Sequence, residues 1–269
     1  MKELEIIQQA KSLKILVVGD SCIDEFVYGD CNRLSPEAPV PVLKMTHIAF
    51  MPGMAGNVVE NIMAFTENIE FLCQAEEIKK RRYVDLRSNQ HLMRFDIEPD
   101  NIKPAELSSS KVSDDIRNDK FDAVIISDYD KGFLNVSQIA SLISALTDKT
   151  KLYVDTKKKD ISCYQNSFVK LNEKESLLSS NTLHESSHLI TTLGSAGARH
   201  LDHVYSTNKV DIFDVSGAGD TFLAAFSIFH VITGDCPSAI NFANKCAMIV
   251  VQKPGTYALQ QTDLAGRLK

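Results

Sequence analysis

The stretch Asp214-Val215-Ser216-Gly217-Ala218-Gly219-Asp220-Thr221 is followed at once by an apolar, helix-like run from Phe222 to Thr233. Two glycines two residues apart let the backbone come close to a ligand, because no Cβ stands in the way. The unpaired amides of a helix start, together with the positive end of its dipole, form an anion site. Asp220, in the first turn, is placed to take a proton from a hydroxyl. The stretch therefore predicts transfer of a phosphoryl group to an alcohol; an ordinary glycine-rich loop before a helix is the alternative.

The composition is that of an ordinary globular α/β protein. The chain has 269 residues, of which 44% are hydrophobic and 24% charged. A net charge of -6 and the lack of a long basic run argue against nucleic acid and anionic membranes as partners. No apolar run approaches the roughly 20 residues that span a bilayer, and the acidic first residues are not typical of a signal peptide. Six scattered cysteines without a Cys-x-x-Cys motif indicate free thiols, so we expect a cytoplasmic protein.

Five short apolar runs each end in a polar residue. Runs without polar alternation indicate strands that are buried on both faces of a parallel sheet. Helix-like segments, such as residues 57–65 and 135–146, lie between several of them, which favours right-handed βαβ units. Ligands of such sheets bind beyond the carboxyl ends of the strands, so the polar residues are expected to line one rim. The runs are Ile15–Val18, Ala123–Ile126, Leu152–Val154, Phe168–Leu171 and Leu189–Ile190, followed by Gly19-Asp20, Ser127-Asp128, Asp155, Asn172 and Thr191-Thr192.

Two other regions have the pattern of antiparallel β-structure outside the parallel sheet. Residues 26–51 hold three prolines between short β-like runs, and residues 83–97 interleave charged and apolar side chains. We expect them to form a small β-flap, or lid, over the active site within a single domain that spans residues 1–269. The basic cluster Lys79–Arg82, just before the second segment, is interpreted as a solvent-exposed face.

With these pieces in place, the chain resembles the ribokinase-like (PfkB) carbohydrate kinases, whose C-terminal signature is similar to residues 214–221. One branch is more similar than the rest. The run Leu34-Ser35-Pro36-Glu37-Ala38-Pro39-Val40-Pro41-Val42 and the run Ser127-Asp128-Tyr129 resemble the kinase half of the heptose 7-phosphate kinase/adenylyltransferase enzymes. The similarity covers nearly the whole chain in order. It implies an α/β fold in which helices flank a mostly parallel sheet and a small β-flap serves as a lid.

The resemblance also implies roles for individual residues. Asp220 matches the catalytic base, and Gly217, Ala218 and Gly219 match the backbone anion hole. An Asn-x-x-Glu element linked to the phosphates and to magnesium is matched by Asn172 and Glu175, so ATP and Mg²⁺ are the implied cofactors. The residues matched to the nucleotide site are Asn172, Thr192, Gly194, Gly197 and Asn244. Those expected on the substrate side are Asp24, Gly53, Asn57, Asp128 and Lys131, with Arg94 and Lys131 among the candidate cations for a sugar phosphate.

The chain departs from the family pattern at two places. Relatives carry Pro-Gly-Gly-Ala-Ala-Asn where this chain has Pro52-Gly53-Met54-Ala55-Gly56-Asn57, so Met54 is expected to put a long side chain near the sugar pocket. A few tens of residues, which in relatives supply a helix and a strand, are missing between Ile69 and Lys79. Their loss is expected to trim the sheet edge, to lower stability or to make the protein depend on a partner. The resemblance covers the kinase half of those enzymes and does not extend to the adenylyltransferase half.

These features predict an ATP-dependent sugar kinase. The expected substrate is D-glycero-D-manno-heptose 7-phosphate, phosphorylated at its anomeric hydroxyl on the route to the ADP-activated heptose used as a lipopolysaccharide precursor. One alternative is a kinase of the same fold that acts on another sugar, sugar phosphate or nucleoside. The other is a non-catalytic protein that binds sugar or nucleotide. A homodimer formed through the β-flap is expected from the relatives, and the exposed strands of the flap would provide the contact.

Overall fold

Two β-sheets and a set of flanking helices make up the computed structural model, which describes residues 3–107 and 111–267. The strands are β1 (Ile15–Gly19), β2 (Ser21–Leu34), β3 (Pro41–Met54), β4 (Ile69–Leu72), β5 (Lys79–Asp85), β6 (Gln90–Ile97), β7 (Ala123–Asp128), β8 (Lys151–Thr156), β9 (Ser167–Asn172), β10 (His188–Thr192), β11 (Ala198–His200) and β12 (His203–Tyr205). The helices are α1 (Glu3–Ala10), α2 (Ala55–Ile62), α3 (Lys111–Arg117), α4 (Val136–Ala145), α5 (Glu173–Ser179), α6 (Ala218–Thr233), α7 (Cys236–Val250) and α8 (Gln261–Arg267).

The larger sheet has the strand order β12-β11-β10-β9-β8-β7-β1-β4. Its six strands from β10 to β4 run parallel, and the short β11 and β12 add an antiparallel edge. All five apolar runs singled out in the sequence are strands of its parallel part. The predicted mostly parallel sheet flanked by helices is therefore confirmed.

Both faces of the larger sheet are covered, which explains why its strands are apolar without alternation. Val17 and Ile125 belong to one core cluster, together with residues of α1, α2, α6 and α7. Their neighbours Val18 and Ile126 belong to a second cluster, with residues of α3 and α4. Successive side chains of a strand point to opposite faces, so each strand contributes to both clusters. Within residues 3–107 and 111–267, no helix combines the length and the apolar character that a membrane crossing requires.

The smaller sheet, with strand order β3-β2-β5-β6, forms the β-flap. Only Asp20 separates β1 from β2, so the flap rises directly from the carboxyl end of β1. The predicted lid segments 26–51 and 83–97 supply most of this sheet, and their residues 35–40 and 86–89 form the connections between its strands. The basic residues at 79–82 are part of β5 and pair in parallel with residues 23–26 of β2.

The strand β4 is the last strand of the larger sheet on its side. It is only four residues long, and Phe71 at its centre is 40% exposed. Residues 73–78 then lead straight into β5 of the flap, at the place where the sequence predicts a missing helix and strand. In the described structure the main sheet thus ends at β4 on this side.

The helix α6 is the element that presents Asp220. Gly217 precedes it in a left-handed conformation with φ 80°, which glycine adopts without a steric penalty. A Cβ on Gly217 would lie 2.6 Å from Asn57 Nδ2, so the tight approach of α2 also requires glycine here. Eleven consecutive residues of α6, Asp220–His230, are buried, because the helix packs against α2, α7 and the sheet.

Candidate functional site

Asp220 lies at the start of α6, and its carboxylate is held from two sides. Asn57 Nδ2, on α2, donates a hydrogen bond of 2.7 Å to Asp220 Oδ2. The hydroxyl of Tyr129, in the loop after β7, donates one of 3.3 Å to Oδ1. Asn61, one turn further along α2, fixes Asn57 by donating to its carbonyl oxygen at 2.7 Å. Asp220 is 6% exposed, so its orientation is set by the protein.

The backbone amides around Asp220 form an anion site. Within the described part of the chain, the amides of Gly217, Gly219 and Asp220 have no hydrogen-bond acceptor. These three N–H groups, called the amide site below, lie at the positive end of the α6 dipole, where negative charge is stabilised. The amide of Ala218, which the sequence also placed in the anion hole, instead donates to Val215 O at 3.3 Å. The third donor without an acceptor is therefore the Asp220 amide, and not the Ala218 amide.

The environment of Asp220 raises the pKa of its carboxyl group to about 6. Burial is the largest cause, because it disfavours the charged form, and the negative charge of Asp155 adds to it. The hydrogen bond from Asn57 and the positive charges of Lys170 and Lys157 act in the opposite direction. A carboxyl group that titrates near neutrality can accept a proton from an alcohol and release it again.

A cleft of about 580 Å³ opens beside the amide site. Ala218 and Gly219 form one end of it, and Ile212, Val215 and Met248 are among the apolar residues that line the rest. The cleft thus offers an apolar pocket that leads to main-chain donors, which suits a flat apolar group with an anionic tail. It is lined by all five residues that the sequence assigned to the nucleotide, namely Asn172, Thr192, Gly194, Gly197 and Asn244.

Asn172 and Glu175, the expected magnesium residues, cap α5 reciprocally. The Glu175 amide donates to Asn172 Oδ1 at 2.9 Å, and the Asn172 amide donates to Glu175 Oε2 at 2.8 Å. The second Glu175 oxygen accepts from Lys157 Nζ at 2.6 Å. Their oxygens are of the kind that Mg²⁺ prefers, and a nucleotide-bound Mg²⁺ needs few protein ligands because it keeps several waters. The two residues therefore fit a magnesium ion held mainly by phosphates and water.

Within residues 3–107 and 111–267, no cluster of three or more His, Cys, Asp or Glu side chains is arranged to hold a metal on its own.

The predicted sugar residues Asp24, Gly53 and Asn57 gather on the flap side of Asp220. Asp24 is 4% exposed, and its Oδ2 lies 3.3 Å from the hydroxyl of Thr256. A Cβ on Gly53 would lie 2.7 Å from Asp24 Oδ2 and 2.6 Å from Cys22 Sγ. Gly53 therefore lets these side chains of β2 pack against the backbone. Sugar contact by Asp24, Gly53 and Asn57 stays a prediction.

Three other predicted substrate residues are engaged elsewhere. Asp128 accepts from the Tyr164 hydroxyl at 2.5 Å on the opposite face of the sheet from Asp220. Lys131 Nζ contacts both oxygens of Glu98 at 2.7 Å. Arg94 on β6 is exposed and pairs with Asp96 at 2.8 Å. The structure does not bring these three side chains to Asp220.

Sequence reasoning did not identify Arg82 as the partner of Asp24. The Arg82 side chain is 11% exposed, so the interpretation of residues 79–82 as a solvent-exposed face is wrong for this residue. Arg82 Nη1 lies 2.5 Å from Asp24 Oδ1, and its guanidinium lies over the ring of Phe26. The sequence feature that could have indicated this contact is the pair of adjacent acids Asp24 and Glu25. Two carboxylates on a buried strand need cations nearby, and the neighbouring strand supplies them.

Sequence comparison relates the chain to carbohydrate kinases. Residues 164–263 match the family described as pfkB family carbohydrate kinase. The bifunctional protein HldE of Campylobacter concisus is 30% identical over 297 residues, which cover 92% of this chain and 62% of that protein. HldE of Helicobacter hepaticus is 30% identical over 320 residues, covering 95% and 64%. This chain thus spans less than two thirds of the length of these curated relatives. Both alignments are longer than the 269 residues of this chain, so the relatives contain segments that it lacks.

Solved structures show the same fold. Phosphofructokinase-2 from Escherichia coli, in complex with potassium, has a TM-score of 0.74 at 15% identity, covering 95% of this chain and 98% of that one. Ribokinase of Arabidopsis thaliana, complexed with ribose and ATP, has a TM-score of 0.68 at 16% identity, covering 96% and 99%. At these identities the likeness concerns the fold. Together with the sequence matches it confirms the resemblance: the chain has a ribokinase-like fold, and its residues 164–263 match the pfkB family of carbohydrate kinases.

Proposed function

We propose that this protein transfers the γ-phosphoryl group of ATP to the anomeric hydroxyl of D-glycero-D-manno-heptose 7-phosphate. The observation that carries the transfer is the buried Asp220 carboxylate, which lies beside the amide site at the end of the 580 Å³ cleft. The choice of heptose rests on the resemblance to the kinase half of the heptose 7-phosphate kinase/adenylyltransferases. A kinase of the same fold with another sugar remains the second candidate, since Met54 replaces a glycine of that pattern.

The proposed reaction depends mainly on positioning and charge neutralisation. The nucleotide occupies the cleft with its phosphates towards the amide site, where the open N–H groups of Gly217, Gly219 and Asp220 face the group that moves. Asn172 and Glu175 would help to hold a Mg²⁺ ion on the phosphates, and that ion would supply neutralisation of part of their charge. Asp220 accepts the proton of the sugar hydroxyl, and a positioned base of this type contributes roughly 10² to 10⁴ in rate.

The test of the proposed function is an ADP-release assay on the purified protein with Mg-ATP and a panel of sugars and sugar phosphates. The expected result is ADP release with heptose 7-phosphate, and a bisphosphate product seen by mass spectrometry. If product forms only with another sugar, the proposed substrate is wrong but the proposed kinase activity stands. Tight binding of sugar and nucleotide without any product across the panel would instead support the non-catalytic alternative and overturn the proposal.

Met54 is the residue expected to tune the choice of sugar. It precedes α2 with φ 58° and ψ -130°, a strained conformation for a residue with a Cβ. Its buried side chain packs with Cys22 and Ile78, against Tyr129. Met54→Gly removes about 1–3 kcal/mol of strain and opens a cavity that costs about 2–5 kcal/mol, so the expected net loss of stability is about 1–2 kcal/mol. Because the cavity adjoins the Tyr129–Asp220 contact, we expect the ratio of kcat/KM between sugars of different size to change by about tenfold or more.

The control for Met54 is Ile78→Ala. It removes a side chain from the same cluster without releasing backbone strain, so it is expected to lower the free energy of unfolding by about 2–5 kcal/mol. Denaturant unfolding and sugar-panel kinetics measure both effects. An unchanged sugar preference in Met54→Gly would show that this side chain does not shape the pocket.

Arg82 is expected to hold Asp24 in place for the sugar. Arg82→Met leaves the buried Asp24 carboxylate without its cation, and removing one partner of a buried pair typically costs about 3–5 kcal/mol. We expect a rise in sugar KM of about tenfold or more. The matched control is Arg81→Met, which removes the partner of Glu25 from the same strand pair. Glu25 faces away from Asp24 on β2, so this variant is expected to lose stability but to keep the sugar KM.

The raised pKa of Asp220 predicts the pH dependence of the reaction. The carboxyl group binds its proton as pH falls through about 6, and the protonated form cannot act as a base. Below pH 6, kcat/KM is therefore expected to fall about tenfold per pH unit. Because the folded pKa lies above the ordinary value, the ionised group destabilises the fold above pH 6 by about 3 kcal/mol. Asp220→Asn should accordingly stabilise the protein more at pH 8 than at pH 4, which thermal unfolding measures.

The outer face of the flap is proposed to contact a second copy of this chain. Phe50 and Phe95 lie in one row of that face, with Glu25 and Arg81 between them. They are 64% and 52% exposed, and apolar side chains exposed together typically mark an interaction surface. Sedimentation of the wild type against Phe50→Lys is expected to show a dimer that the charged side chain dissociates; a wild-type monomer at all concentrations would contradict this.

A further inference from the structure

A buried ion pair lies directly behind the candidate site. Asp155 on β8 and Lys170 on β9 are neighbours in register, and they are 2% and 4% exposed. Lys170 Nζ lies 2.5 Å from Asp155 Oδ2. Burial would raise the pKa of Asp155, but the charges of Lys170 and Lys157 outweigh it and hold the pKa below its ordinary value. Asp155 is therefore ionised at neutral pH.

Lys170 also contacts the turn that carries Asp220. Its Nζ lies 3.5 Å from the carbonyl oxygen of Gly219, and a Cβ on Gly219 would come within 2.9 Å of Nζ. The ammonium group thus fills the space behind Gly219, one residue before Asp220. The other oxygen of the acid, Asp155 Oδ1, lies 3.5 Å from Lys157 Nζ. The pair is wedged between the sheet and the first turn of α6.

Stability alone is a weak reason for this pair. Two charges taken out of water lose solvation that their mutual attraction only partly replaces, and apolar residues of similar volume are often as stable. The apolar neighbours of Lys170 in β9 pack into the two cores, Phe168 on its own face and Val169 and Leu171 on the other. A lysine in such a strand is thus explained better by what its charge does at Asp220 than by packing.

We propose that Lys170 and Asp155 are positioning residues for the phosphoryl transfer, which fix the Gly219 turn and set the charge behind the Asp220 carboxylate. This inference rests on the proposed function. The negative charge of Asp155 opposes ionisation of Asp220, and the positive charge of Lys170 favours it. With both present the two effects partly offset, so Asp220 remains a base that works near neutral pH.

Other groups also face Asp220 and belong to the same electrostatic balance. They are Asn57 from α2, Tyr129 from the loop after β7, Lys157 from the loop after β8 and Cys22 from β2. Lys157 is additionally tied to Glu175 and lies over the Tyr129 ring. Asp155 and Lys170 form a pair of opposite charges that both act on Asp220 and can be removed one at a time or together, which makes them testable.

The experiment compares the pH profile of kcat/KM for the wild type, Lys170→Met, Asp155→Asn and the double variant. The acidic limb of the profile is the pH range in which kcat/KM falls as Asp220 binds its proton. Loss of Lys170 leaves the negative charge of Asp155 facing Asp220, so this limb is expected to move to higher pH by about one unit or more. Loss of Asp155 is expected to move it down. The double variant, which is neutral, is expected to return close to the wild-type limb. The control is Lys149→Met with Asp119→Asn, an ion pair on the surface, which should leave the limb unchanged.

A direct titration keeps the inference separate from the proposed function. Carbon-13 NMR of labelled aspartate, with Asp220 assigned by its loss in Asp220→Asn, follows the same protonation without turnover. Opposite shifts for the two single variants support the inference even if no sugar is phosphorylated, in which case only the proposed function fails. The inference is overturned if both single variants lose activity equally while their acidic limbs and the Asp220 titration stay at the wild-type pH. The pair would then serve only to hold the structure. If one single variant does not fold, the other single variant decides: an Asp220 titration shifted in the predicted direction supports the inference, and an unmoved titration overturns it.

Discussion

Asp220→Asn is expected to lower kcat by a factor of roughly 10² to 10⁴, because asparagine keeps the shape of the side chain but cannot accept the hydroxyl proton. The carboxylate is held by Asn57 and Tyr129 at the opening of α6, so a similar shape should occupy the same place. Nucleotide affinity is expected to stay within a few-fold of the wild type, since the cleft is lined by other residues. Steady-state kinetics and calorimetric titration with a nucleotide analogue measure the two quantities.

The control for Asp220 is Asp114→Asn. Asp114 is also an acid in the first turn of a helix, but it lies in α3 and pairs with Arg117 on the surface. We expect kcat to remain unchanged in this variant. A kcat for Asp220→Asn within a few-fold of the wild type would mean that another group accepts the proton, and the assignment of the base would be wrong.

Gly217→Ala is expected to lower kcat by about 10² to 10³, a loss comparable to removing a donor from an oxyanion-type site. The residue has φ 80°, and a Cβ would lie 2.6 Å from Asn57 Nδ2 and 3.0 Å from Thr256 Cγ2. Asn57 must then move, and with it the hydrogen bond that orients Asp220. The amide site loses its geometry at the same time. Single-turnover kinetics with saturating nucleotide separate this effect from weaker binding.

Gly234→Ala is the matched control for the backbone strain. Gly234 ends α6 with φ 66°, also left-handed, but a Cβ there would meet nothing within 4 Å. Both variants are expected to lose about 1 kcal/mol of stability from the strained backbone, while only Gly217→Ala loses kcat. Equal kcat values in the two variants would contradict the role of the amide site.

The sequence predicted those parts of the molecule whose signal is local. Continuous apolar runs predicted β1, β7, β8, β9 and β10, because a strand that is buried on both faces lacks the alternation of polar and apolar residues. The run after Gly219 marked α6, and Gly234 marked its end. The five nucleotide residues lie in one cleft because each follows a strand or sits on a helix that closes the same rim.

Contacts between distant parts of the chain were beyond sequence reasoning. Lys170 lies inside an apolar run, and only the pairing of β9 with β8 shows that Asp155 is its partner. Arg82 was hidden in a basic cluster, since its burial depends on Asp24 in the neighbouring strand. Asp128 follows a strand at the expected rim, but the alternation of side chains turns it to the opposite face, towards Tyr164.

The most direct measurement is a crystal structure of Asp220→Asn with heptose 7-phosphate and a non-hydrolysable ATP analogue. We predict that the reacting hydroxyl of the sugar lies about 2.6–3.2 Å from the side chain of residue 220. The terminal phosphate should face the amides of Gly217 and Gly219. A sugar bound away from residue 220, or a terminal phosphate outside the reach of these amides, would contradict the account.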